Sequence, residues 1–157
     1  MKTKLPVLIL IISALILAAC GGGSTPDPAP TAVPMPNIPD AETLEIFMND
    51  IYFGESGPTN LASPIAWEVT SGAEVTLNLE NQGALQHNWA LVKTGQTVPE
   101  PYVGGAENPD LLLFNAGVLD GGKSETVTFT APEAGEYLVI CTVAGHYPAM
   151  QGMLTVK

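Results

Sequence analysis

The chain contains no arginine, and its five basic residues are all lysines. Two of these, Lys2 and Lys4, precede an apolar run from Leu5 to Leu17. Without residues 1–19, three lysines face 16 acids, a formal charge of −13. So acidic a chain has no electrostatic grip on nucleic acid. It is also repelled by an anionic lipid surface, and such charge suits steering toward a basic partner as well as simple solubility. Histidine and cysteine are equally scarce, at two each. Two imidazoles are too few for the several metal centres of a copper oxidase or a nitrite reductase, so an enzyme of that type is not expected. No segment has the 3.6-residue apolar period of an amphipathic helix, and no internal repeat is present.

The apolar run spans 13 residues. A membrane-crossing helix needs roughly 20. Two lysines, a short apolar stretch and small residues before a cysteine form a secretory signal. Leu17-Ala18-Ala19-Cys20 resembles a bacterial lipobox, which implies cleavage before Cys20 and a diacylglyceryl group on its sulfur. The expectation is a lipoprotein on the extracytoplasmic (periplasmic) face of a cell membrane, with the lipid as the anchor. Residues 21–40 hold six prolines and three glycines and read as a tether. In polyproline form it reaches roughly 60 Å at ~3.1 Å per residue.

From residue 41 the texture changes to short strands between turns. Leu44–Met48, Ile65–Thr70, Glu74–Asn81, His87–Val92, Leu111–Phe114, Glu125–Thr130, Glu136–Cys141 and Met153–Lys157 are the expected strands. Val75, Leu77 and Leu79 alternate strictly with polar residues, as do Val127 and Phe129, the pattern of half-buried antiparallel strands. Asn81-Gln82-Gly83, Asp120-Gly121-Gly122 and Pro132–Gly135 supply turns. Thr94–Asp110 reads as loop with a little helix. Seven to eight strands in about 115 residues make one all-β domain, a Greek-key β-sandwich, over residues 41–157.

The chemistry collects in Tyr137–Lys157, YLVICTVAGHYPAMQGMLTVK. Cys141, His146 and Met150 have the spacing C-x4-H-x3-M. Thiolate, imidazole and thioether suit a copper ion that is stable in two oxidation states. The missing second imidazole is His87. Taken singly, a buried cysteine, a structural histidine and a packing methionine are ordinary features. Taken together, both histidines, the one spare cysteine and a loop methionine fill the four positions of a blue-copper site. With Cys20 lipidated, Cys141 has no disulfide partner, and metal ligation accounts for it.

These two stretches, the second with Leu85–Gly95 (LQHNWALVKTG), resemble the cupredoxins. The spacing resembles their azurin-like branch, and the wording of both stretches is most similar to the auracyanins, membrane-tethered copper proteins. The resemblance covers residues 42–157. It implies one copper ion held by His87, Cys141, His146 and Met150. It places Asn88 and Thr142 opposite each other, tying the first histidine's segment to the cysteine loop. Gln86 stands where azurins have glycine, so the resemblance leaves open whether its carbonyl makes a fifth contact, and the azurin disulfide has no counterpart. The resemblance also implies a mobile electron carrier that is not an enzyme. Its expected partners are redox proteins: a quinol-oxidising membrane complex on one side, a photosynthetic reaction centre or cytochrome on the other. A monomer is expected. A copper-delivery protein and a metal-free adhesion sandwich are the alternatives. Trp89 reads as core, or as a shield keeping water from the metal. Tyr147, Pro148 and Ala149 read as an apolar patch around His146, or as loop packing, and Met153 as core.

Overall fold

In the computed structural model, residues 39–55, 64–104 and 110–157 are described. The signal segment, Cys20 and nearly all of the tether lie outside these residues. The described chain is all-β, with no helix among the described residues. Its strands are β1 (Glu42–Asn49), β2 (Tyr52–Phe53), β3 (Ile65–Val69), β4 (Glu74–Asn81), β5 (Ala90–Val92), β6 (Leu112–Asn115), β7 (Ser124–Thr130), β8 (Gly135–Ile140) and β9 (Gln151–Val156). They form two sheets, β2-β1-β4-β7 and β3-β9-β8-β5-β6.

The first sheet follows the alternation in the sequence. Register pairs Ile46 with Leu79, Leu77 with Val127 and Val75 with Phe129. Because side chains point to opposite faces at each step, these apolar residues share one face. Ile46, Val75 and Leu77 are completely buried. Glu45, Asn78 and Thr126 fall on the other face and hydrogen-bond across it. Burying roughly 25 cal/mol per Å2 of apolar surface is what holds such a face against its partner sheet.

Both sheets are mixed, which alternation alone does not reveal. β4 is antiparallel to β7 but parallel to β1. β3 is parallel to β9. Parallel neighbours require crossover connections, here between the two sheets of the sandwich.

The second sheet is covered on both faces. One face joins the main core, with Trp89, Leu91, Val139 and Leu154 fully buried. The other carries a smaller cluster of Ala90, Val92, Val98, Tyr102, Leu111 and Ile140. Val98 and Tyr102 come from the segment expected to be loop with a little helix. Its described part is irregular and packs over the sheet. Coverage on both sides explains why β5 reads Ala-Leu-Val with no polar alternation.

Trp89 sits in the core, with ring centroids 5.7 Å from Phe129 and 6.1 Å from Trp67. Its Nε1–H has no hydrogen-bond partner among the described residues. Aromatic packing fixes this ring in place. Gly152, on the inward face of β9, leaves the space that Trp67 fills; a Cβ there would lie 2.5 Å from the Trp67 ring.

Three expectations change. Met153 does not enter the core. Gly152, Leu154 and Val156 take the inward positions of β9, so the two-residue period sends Met153 outward, half-buried and paired with Leu138. The strand expected from His87 begins only at Ala90. His87 instead forms an isolated bridge with Leu119. The ninth strand, β2, is a two-residue return after a tight turn at Asp50-Ile51. Two residues are too few to show a period.

Candidate metal centre

Two of the candidate ligands sit just outside a strand. Cys141 follows the last residue of β8, and Met150 precedes the first residue of β9. The Cys141 N–H donates to the Met150 carbonyl at 3.1 Å, closing the loop between them at its base. Inside that loop the Met150 N–H donates to the His146 carbonyl at 2.8 Å, and the His146 N–H to that of Val143 at 3.1 Å. The Gly145 N–H donates to the Tyr102 carbonyl, which docks the loop on the cover of the second sheet. His87 approaches from the other side. It exchanges backbone hydrogen bonds of 3.1 and 2.8 Å with Leu119, in the connection before β7.

The two parts are laced by Asn88. Its Oδ1 accepts the Thr142 N–H at 2.7 Å, and its Nδ2 donates to Thr142 Oγ1 and to Asn115 Oδ1, both at 2.8 Å. Asn88 is fully buried; its two bonds to Thr142 join residues 54 apart in the chain, and the bond to Asn115 joins residues 27 apart. Asn115 had no sequence signal beyond ending an apolar strand. It is a third member of the lacing.

The result is a buried cluster. Ligand atoms of His87, Cys141 and His146 all lie within 4.8 Å of one another. Cys141 Sγ is 3.4 Å from Nδ1 of His146 and 4.0 Å from Nδ1 of His87, so both rings turn the same nitrogen to the sulfur. Metal–nitrogen and metal–sulfur distances of about 2.0 and 2.3 Å place trigonal donors roughly 3.7 Å apart. The two observed separations bracket that value, so the residues fit a single ion. Met150 is fully buried, with its backbone bonded to both Cys141 and His146. The Gln86 side chain turns away, donating to Asp120 at 2.7 Å. Cys141 is a free, buried cysteine.

Electrostatics favours the metal-ready state of the imidazoles. Burial holds His87 below the ordinary histidine range, against the pull of Asp50. Burial also lowers His146, and the neighbouring His87 adds to the effect. Both rings are therefore neutral at physiological pH, the form that offers a lone pair to a metal. Burial pushes the Cys141 thiol up, while the backbone N–H groups of Asn88 and Val143 pull it down. A metal cation must displace that proton, since the thiolate is the ligand.

A soft thiolate, two neutral imidazoles and a thioether form the donor set of blue copper. Residues 63–157 match the family model described as copper binding proteins, plastocyanin/azurin family. The chain belongs to this family. Within it, the chain is 35% identical to auracyanin-A of Chloroflexus aurantiacus over the full length of both. It is 34% identical to auracyanin-B of the same organism, covering 82% of this chain and 57% of that one. The solved structure of auracyanin A, a "blue" copper protein, superposes with a TM-score of 0.59 at 33% identity, over 76% of this chain and all of the other. That of the auracyanin of Roseiflexus castenholzii does so at 0.59 and 29%, over 73% and 96%. The protein is thus a blue-copper cupredoxin, its cofactor is copper, and members of this plastocyanin/azurin family are electron carriers.

Proposed function

We propose that this cupredoxin is a mobile, monomeric one-electron carrier, tethered by lipid on Cys20 to the outer face of a cell membrane. It accepts electrons from a quinol-oxidising complex and delivers them to a photosynthetic reaction centre or a cytochrome. The observation that carries this reading is the buried, laced donor set. A copper ion held there supplies a reversible one-electron couple. His87, Cys141, His146 and Met150 hold it, and the hydrogen bonds of Asn88 keep the two ligand segments from moving apart. A site that stays fixed while its charge changes has little to reorganise.

The surface favours transfer at one end. His87 is 0% exposed and His146 7%, so only the second ring reaches the edge of the protein. Tyr147 and Pro148 beside it are half-buried, and Ala149 is exposed. The exposed large hydrophobics Ile51, Leu85, Val103 and Val118 lie in segments hydrogen-bonded to, or adjacent to, the ligand segments. An apolar rim around a redox centre permits close approach of a partner. The net negative charge steers basic partners toward it.

Stopped-flow mixing with a small basic cytochrome tests the shuttle. We expect fast one-electron exchange that slows as salt is raised. A copper-loaded protein with its visible band intact that exchanges no electrons with any redox partner contradicts the reading. Mass analysis of the membrane-bound protein checks the anchor, with a diacylglyceryl adduct on Cys20 as the expected result.

A further inference from the structure

The turn between β1 and β2 brings a carboxylate to the metal centre. Asp50 Oδ1 lies 3.4 Å from Nε2 of His87, the ring nitrogen that faces away from the sulfur. The same oxygen accepts the backbone N–H groups of Ala84 at 3.0 Å and Leu85 at 3.1 Å. Two backbone N–H groups and a ring nitrogen therefore converge on one oxygen. The Asp50 carboxylate is thus fixed against a fully buried imidazole.

Two independent features show that the chain is shaped to put it there. Ile51 has φ +68°, in the left-handed region. A β-branched side chain is strained there and persists only where its surroundings hold it. The turn also closes against Gly83. A Cβ at Gly83 would collide with Asp50 Oδ1 and approach its backbone nitrogen to 3.0 Å. Any larger residue would push the carboxylate away from His87.

We propose that Asp50 is the positioning and tuning residue of the copper centre. It fixes His87 in the Nε2–H tautomer with Nδ1 free for the metal, and its negative charge lowers the reduction potential. A carboxylate on the far nitrogen of a metal-bound imidazole orients the ring and raises its basicity. A more basic ligand and a nearby negative charge both favour the dication over the monocation. At 3.4 Å the contact is long for a hydrogen bond. Charge therefore matters as much as geometry, and the two are separable by mutation.

The inference rests on the reading of His87 as a copper ligand, so its test includes a measurement on metal-free protein. In 15N NMR spectra of the metal-free wild type, His87 is expected as the Nε2–H tautomer. Asp50→Ala abolishes that preference. Asp50→Asn keeps an acceptor oxygen at the same place, so the tautomer survives while the charge is gone. In the copper-loaded form, Asp50→Asn raises the Cu(I):Cu(II) affinity ratio about tenfold. That corresponds to about +59 mV for one electron. Gly83→Ala, which leaves the carboxylate in the chain but displaces it, moves the potential in the same direction. A wild-type potential in both Asp50→Asn and Gly83→Ala overturns the tuning role. An unchanged tautomer in Asp50→Ala overturns the positioning role. Failure of wild type to bind copper at all defeats the functional reading, while the metal-free NMR result still decides the positioning role.

Discussion

Cys141→Ser is expected to abolish the intense visible absorption of the copper-loaded protein completely. That band comes from charge transfer between thiolate sulfur and Cu(II), and a hydroxyl has neither the low proton affinity nor the soft lone pairs to replace it. The substitution is nearly isosteric. A serine Oγ is placed to accept the same Asn88 and Val143 N–H groups that face the sulfur. The metal-free variant is therefore expected within about 1 kcal/mol of the wild type. Folding and colour separate as readouts: a colourless, stable variant supports a ligand role, and a variant that keeps the band contradicts it. Thermal denaturation of the metal-free protein and an absorption spectrum after copper loading are the two measurements.

Asn88→Ala is the substitution with the largest expected effect on stability. The side chain is wholly buried and makes three hydrogen bonds. Alanine leaves the Thr142 N–H and Thr142 Oγ1 without their partner, and Asn115 Oδ1 with the Gly117 N–H alone. A buried polar group deprived of its partner costs about 1–3 kcal/mol. Allowing for relaxation, about 3 kcal/mol in total is expected. For a domain of this size that lowers the melting temperature by about 12 °C. The bonds join the segment of His87 to the segment of Cys141, so copper affinity falls as well, by about 10–100-fold. Asn88→Asp is the informative companion. It keeps the acceptor for Thr142 N–H but loses the two donated bonds, so its stability should fall between the two. A melting curve for Asn88→Ala that matches wild type contradicts the lacing role.

The ligand set was legible because copper needs rare residue types and this chain has almost none to spare. Two histidines, one cysteine within residues 41–157 and one methionine at the right spacing left few other assignments. Asn88 and Thr142 were readable only through resemblance, since nothing in the local sequence joins positions 54 apart. The strands of the first sheet were readable because one face is wet, so polarity alternates with burial. β5 and its neighbours were harder, because both faces of the second sheet are covered and the alternation disappears. Met153 was misplaced for the converse reason. Its neighbour Gly152, which holds the inward position, carries no apolar signal, and the inward space there belongs to the Trp67 ring.

Asp50 and Asn115 were invisible for a different reason. Each is a common polar residue at the end of a strand, and its importance comes from a contact made in three dimensions. Asp50 meets a histidine 37 positions away. Asn115 meets Asn88 27 positions away. Neither contact leaves a periodic trace. The strained φ of Ile51 and the crowding at Gly83 become evident only once the turn is built.

The central claim is that one cysteine sulfur and two histidine nitrogens meet on a single copper ion. X-ray absorption at the copper edge of the loaded protein measures this directly. The account predicts one short sulfur neighbour and two nitrogen neighbours, with the sulfur lost in Cys141→Ser. A first shell of nitrogen and oxygen alone in the wild-type protein would contradict it.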